Sequence, residues 1–198
     1  MESPASHRPK FIVLTGGPGA GKTAVLEVIQ RQFNLQATVL PEAAGIVFGG
    51  GFPRISTDHG RRTSQRAIFH VQRELEELVC GGAEADVILC DRGTLDGLAY
   101  WPGDPEDFFR ELGTSLESEL ARYAMVIHLR TPSAEEGYNH QNPLRIESPE
   151  DAARIDARIG EIWARHPHRV VIENSRKFVE KLEHVLDVLR PEVPAIRR

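Results

Sequence analysis

Five short, largely apolar runs divide the chain: Phe11-Ile12-Val13-Leu14, Ala37-Thr38-Val39-Leu40, Val87-Ile88-Leu89-Cys90, Met125-Val126-Ile127-His128-Leu129 and Arg169-Val170-Val171-Ile172. A strand with one wet face alternates apolar and polar residues, whereas a strand covered on both faces has little room for polar ones, so runs of this kind predict a parallel sheet. The stretches between them carry the helical period. Val25, Leu26, Ile29 and Phe33 fall on one stripe, as do Ile68, Val71, Leu75, Leu78 and Val79 ahead of Gly81-Gly82. Asp104-Pro105-Glu106-Asp107 and Ser148-Pro149-Glu150-Asp151 each supply a capping side chain, a proline at the first helical position and acids in the first turn. Thr114 with Glu117 fits a capping box, and a last helix through Phe178, Leu182, Val185 and Leu189 is halted by Pro191. Alternation of the two periods predicts an α/β fold with helices on both faces of the sheet.

At 198 residues the chain is most simply one domain. Its expected body is 11–190, with a disordered tail at 1–10 and a C-terminal tail at 191–198. Two segments follow neither period: 45–61, with Gly49-Gly50-Gly51, and 131–148, which is polar. Long stretches of that kind in a compact domain are functional lids or disordered.

Gly16-Gly17-Pro18-Gly19-Ala20-Gly21-Lys22-Thr23 lies between the first strand run and the first helical stripe. Glycines let successive N–H groups curl inward toward phosphate oxygens, and the helix N-terminus adds partial positive charge. The pattern is that of a P-loop (Walker A). It assigns nucleotide contacts to Gly17, Pro18, Gly19, Ala20, Gly21, Lys22, Thr23 and Ala24, with Lys22 reaching the β and γ phosphates and Thr23 ligating Mg²⁺. Asp91 ends the third run, where a carboxylate serves the metal or caps the following helix. No Asn/Thr-Lys-x-Asp element is present, so ATP is the default nucleotide and GTP the alternative.

The net charge of −5 argues against broad nucleic-acid or anionic-membrane binding. Cys80 and Cys90 have neither metal-ligand nor disulfide-framework spacing and suit a reducing cytoplasm. No stretch approaches the roughly 18 apolar residues of a membrane span. His59, His70, His140, His166 and His168 lack zinc-ligand spacing and read as loop or surface histidines, while Tyr100, Trp101 and Trp163 read as packing residues. Monomer and homodimer both remain open.

Asp91-Arg92-Gly93, with Pro41-Glu42-Ala43-Ala44 after the second run and His128-Leu129-Arg130-Thr131-Pro132 after the fourth, resembles a P-loop small-molecule kinase. Most closely it resembles small single-domain P-loop proteins described as AAA-like ATPases, a set that includes the nicotinamide riboside kinase domain of NadR. More distantly it is similar to deoxynucleoside kinases and thymidylate kinase. The resemblance implies a P-loop NTPase fold with a five-stranded parallel sheet and a lid at about 131–148. It implies Glu42 as base toward an acceptor hydroxyl, Asp91 and Arg92 beside metal and phosphate, and Arg92 holding a nucleoside or monophosphate acceptor.

Strand ends in an open α/β sheet converge, which brings Glu42, Asp91 and Arg130 around the phosphates, although Glu42 could also be a solvated loop acid. Lid arginines can neutralise charge on a transferring phosphoryl group. Arg145 is the favoured one, because Arg154, Arg158 and Arg165 also fit a solvated stripe opposite Ile155, Ile159 and Ile162. Gln65, Phe69 and Gln72 form a second stripe on the helix from Arg62 to Val79, suited to reading and stacking a ring unless that face is merely exposed.

The expectation is thus an ATP- and Mg²⁺-dependent phosphotransferase acting on a small nucleoside- or nucleotide-like acceptor. The alternative is a regulatory module whose bound nucleotide orders 45–61 and 131–148 for a partner. An assembling ATPase motor would require a helical lid domain for which the chain has little room.

Overall fold

All five apolar runs are strands: β1 (Lys10–Thr15), β2 (Ala37–Leu40), β3 (Val87–Asp91), β4 (Met125–Leu129) and β5 (Arg169–Ile172). The structure, a computed structural model, describes residues 9–32, 37–80, 85–132, 148–175 and 177–193. The strands form one parallel sheet in the order β2-β3-β1-β4-β5, with Ile12 opposite Leu89 on one side and Met125 on the other. Successive residues of the central strands face opposite sides. Val13, Ile88, Cys90 and Val126 pack with Leu95, Phe108, Ile159 and Trp163, while Ile12, Leu14, Leu89 and Ile127 pack with Val25, Ile29, Val185 and Leu189. Two cores, one on each face, explain why the runs are largely apolar rather than alternating. The edge strands are less covered, and Val171 on β5 is 39% exposed.

The helices are α1 (Lys22–Gln32), α2 (Ala43–Gly49), α3 (Asp58–Cys80), α4 (Pro105–Leu112), α5 (Leu116–Leu120), α6 (Pro149–Trp163) and α7 (Phe178–Leu189), with a 3-10 helix over Thr94–Tyr100. Asp104 and Ser148 cap α4 and α6 as their spacing implies, accepting from Glu106 N and Asp151 N.

Several expectations are corrected. Residues 43–49 are helical rather than irregular, and α3 begins at Asp58, so only 50–57 of the stretch 45–61 lacks a helix. Gly45 and Gly49 lower the helix propensity of α2 and hid it, but burial of Ala43 and packing against α3 outweigh that cost. The cap of α5 is Ser115 with Ser118, one residue beyond the expected Thr114 and Glu117. Leu78 is 75% exposed and Phe178 is also exposed, so neither belongs to a core stripe. His166 is buried, bonded to the Tyr123 carbonyl at 2.9 Å, because the turn after α6 folds it against Trp163. Lys10 pairs with Glu192 at 3.1 Å, and Val193 is buried with Val185 and Leu189.

Candidate functional site

β1 ends in Thr15, and the chain turns at Gly16 with φ 138°. A Cβ on Gly16 would lie 2.1 Å from the Leu129 carbonyl oxygen, so only glycine lets the loop pass this close to β4. At the start of α1, Lys22 bends back and donates to the carbonyls of Gly16 at 2.8 Å and Gly17 at 3.1 Å. Burial lowers its pKa to about 8, helped by Arg92 and opposed by Asp91, Glu42 and Asp96.

Asp91 leaves β3 beside Leu14, 6% exposed, and its Oδ1 has no hydrogen-bond partner among the described residues. Burial pushes its carboxyl upward, against the pull of Lys22 and Arg92. It does not cap the 3-10 helix; that role falls to Asp96, whose Oδ2 accepts from Gly93 N at 2.8 Å. The other oxygen of Asp96 accepts from the Thr15 hydroxyl.

Arg92 holds a left-handed φ of 71°. Its Nε donates to Glu42 Oε1 at 2.6 Å and its Nη1 to the Gly16 carbonyl at 3.3 Å, with Asp96 at 3.7 Å. Glu42 begins α2 without a side-chain cap bond, which leaves it for Arg92. Burial opposes ionisation of Glu42, but Arg92 and Lys22 prevail and its pKa is lowered. Arg92 likewise stays firmly charged despite burial, held by its acidic neighbours. Lys22 and Arg92 therefore face Glu42, Asp91 and Asp96, with Arg54 also acting on Glu42.

Behind the loop, Asp156 of α6 accepts from Gly17 N at 2.9 Å through Oδ1, which also meets His128 Nε2 at 2.9 Å, while Arg130 reaches Oδ2 at 2.7 Å. His128 Nδ1 faces Arg169 Nη2 at 2.9 Å; guanidinium only donates, so Nε2 carries the ring proton. Lys181 of α7 donates to the carbonyls of Ala20 at 3.1 Å and Arg130 at 3.0 Å and to Asn174 Oδ1 at 3.0 Å.

A cavity of about 1310 Å³ opens over the loop, Glu42, Asp91 and Arg92. Pro18, Gly19, Lys22 and Thr23 line it together with Glu42, Asp91 and Arg92, and Gln65, Phe69 and Gln72 lie on its wall. Gly17, Ala20, Gly21 and Ala24 are not on its surface. The glutamine–phenylalanine stripe is not an exposed face: Gln65 is 8%, Phe69 4% and Gln72 3% exposed. Arg130 does not line the cavity, being engaged by Asp156, whereas Arg154 and Arg158 do. Arg165 is exposed beside Glu117. Arg145 lies outside the described residues, as does most of 131–148.

Sequence reasoning missed Asp96, Asp156 and Lys181. A signal for Asp156 existed: Ala152, Asp156, Ile159 and Trp163 keep helical spacing, placing a carboxylate inside a buried stripe. Among the described residues no group of three or more His, Cys, Asp or Glu could hold a metal, and no helix is long and apolar enough to cross a membrane.

A parallel sheet in this order with a phosphate-type loop after its central strand defines the P-loop NTPase fold. The chain belongs to the family described as an AAA domain, whose model matches residues 11–181. No curated protein matches it. Among solved structures it is similar to thymidylate kinase from Candida albicans, with 13% identity, a TM-score of 0.66 and coverage of 93% of this chain and 92% of that one. It is also similar to deoxyadenosine kinase from M. mycoides with bound dATP, at 14% identity, TM-score 0.64 and coverage of 91% and 99%. The same enzyme with products dCMP and a flexible dCDP gives 13%, 0.61 and the same coverage. The chain is therefore an AAA-family protein with a P-loop fold shared by these kinases.

Proposed function

We propose that the chain transfers the γ-phosphoryl group of ATP to a small nucleoside- or nucleotide-like acceptor. The observation that carries this reading is one cavity shared by the phosphate loop, the Glu42–Arg92 pair and a wall of two glutamines and a phenylalanine. A hydrolysing switch has no use for such a wall; a kinase needs a second compartment beside the phosphates.

Lys22 has three N–H donors, of which two hold loop carbonyls, leaving one for a β or γ oxygen. The loop amides supply the rest. The residues fit Mg²⁺: Asp91 offers a buried oxygen without a partner among the described residues, and Thr23 lines the same cavity. Asp91 and Thr23 would hold it, and it would neutralise charge on the phosphates.

Glu42, kept ionised and aimed by Arg92, orients an acceptor hydroxyl and receives its proton. A lowered pKa makes it a weak base, which is sufficient where bond formation to the entering oxygen lags behind cleavage. Arg92 stands ready for phosphate or acceptor, Arg130 acts through Asp156, and Arg145 remains the proposed lid arginine. Gln65 and Gln72 flank the Phe69 ring as a recognition wall.

The test is a panel of nucleosides, nucleoside monophosphates and nicotinamide riboside with Mg²⁺ and either ATP or GTP, scored for acceptor-dependent release of the diphosphate. At least one acceptor should accelerate release, with ATP the better donor. Slow hydrolysis indifferent to every acceptor would instead indicate the regulatory module.

A further inference from the structure

Helix α3 turns a polar stripe inward, with Ser64, Gln65, Gln72 and Glu76 all buried beside Phe69. Both oxygens of Glu76 are met by donors. Arg122 reaches Oε2 through Nη2 and, at 3.2 Å, through Nε. Oε1 accepts from the Tyr123 hydroxyl at 2.8 Å and from Gln72 Nε2 at 2.9 Å. Tyr123 has one proton to give. Thr94 N donates to the phenol oxygen at 2.9 Å, and the Thr94 hydroxyl, itself donating to Glu119, lies 3.1 Å from it as a neutral acceptor; the charged Glu76 oxygen at 2.8 Å is the closer and stronger acceptor and takes the phenol proton.

A carboxylate against a guanidinium only accepts, so Gln72 can meet it only with its NH₂ end. The reverse orientation would press carbonyl oxygen against carboxylate oxygen, and chemistry rather than placement thus assigns the two ends of the amide. The Gln72 carbonyl oxygen makes no hydrogen bond among the described residues, and Gln72 lines the cavity. Gln65, whose side chain makes no hydrogen bond among the described residues, can turn either end toward a ligand.

We infer that Glu76 sets the polarity of the Gln72 amide, making this wall a fixed hydrogen-bond acceptor that selects ligands whose ring edge presents an N–H, as in a carboxamide or amino-substituted ring. The inference rests on the proposed reading of the cavity as an acceptor site. Glu76 touches no ligand itself; it is a specificity-determining residue acting through Gln72.

The experiment is calorimetry on the full chain with Mg²⁺ and a non-hydrolysable ATP analogue. Three pairs differ in the edge donor: nicotinamide riboside against nicotinic acid riboside, adenosine against purine riboside, and cytidine against 2-pyrimidinone riboside. For each pair that binds, the donor-bearing member should bind about 10- to 100-fold tighter, since its absence leaves the buried carbonyl unpaired. Gln72→Met, which leaves Arg122 and Tyr123 on Glu76, should shrink the ratio to roughly threefold or less. Glu76→Gln, if it folds, should shrink it too, because a neutral amide accepts either orientation of Gln72. Equal or tighter binding of the donor-less members, or a ratio that survives Gln72→Met, overturns the inference alone. Binding of ATP with none of the six overturns the acceptor reading and the inference with it.

Discussion

Lys22 stands in the phosphate site as an ammonium weakened by burial, its pKa lowered to about 8. A triphosphate beside it would raise that value, so nucleotide binding and protonation are linked. Affinity is highest below the lowered pKa and declines as pH rises through it, by about tenfold between about pH 7 and about pH 9. Calorimetry of Mg²⁺-ATP in buffers of differing ionisation enthalpy should show little proton uptake at the lower pH and nearly one proton at the higher; pH-independent affinity without uptake would remove Lys22 from the phosphates. Glu42→Gln separates chemistry from binding. It should slow transfer by roughly 100-fold while leaving ATP affinity within about threefold, and parallel losses in both would make the carboxylate structural.

At the scale of elements, what the sequence made legible follows from range. Strands and caps are written in neighbouring residues, so all five runs and the caps of α4 and α6 could be read directly. The partners of Glu76 on α3 and of Asp156 on α6 could not, because they depend on pairings across the fold. Counting apolar residues on α3 points to Ile68, Val71 and Leu75, yet its buried stripe is largely polar, and the Glu76 in it is met by Arg122 and Tyr123 some 46 and 47 positions away. On α6, Asp156 is matched to Gly17, at a separation of 139 residues. Removing that carboxylate as Asp156→Ala strands Gly17 N–H, His128 and Arg130 together. It should cost roughly 2–4 kcal/mol and lower Tm by about 5–10 °C, with ATP affinity falling about tenfold because the loop loses its anchor. Asp156→Asn, which can still accept from Gly17, should lose less of both. A lower Tm with unchanged nucleotide affinity would confine Asp156 to holding α6.

At the scale of the whole molecule, parallel strands bring every group of the site to the same edge of the sheet: Glu42 after β2, Asp91 and Arg92 at the end of β3, and the loop after β1. That convergence stores unfavourable charge, since Glu42, Asp91 and Asp96 crowd Lys22 and Arg92, and burial already pushes Asp91 upward. A triphosphate alone would add negative charge beside Asp91, whereas a triphosphate carrying a divalent cation would place positive charge on the Asp91 oxygen that has no partner among the described residues. Ligand binding to the folded state raises stability by mass action, about 2.7 kcal/mol at a hundredfold excess over Kd, or roughly 5–10 °C in Tm for a chain of this size. ATP with Mg²⁺ should therefore stabilise the protein by that amount, ATP with a chelator by much less, and Lys22→Ala should show almost no shift although it folds. The deciding arm is the chelator: if ATP without a divalent cation stabilises the protein as fully as Mg²⁺-ATP, the acids at the strand ends do not serve a metal.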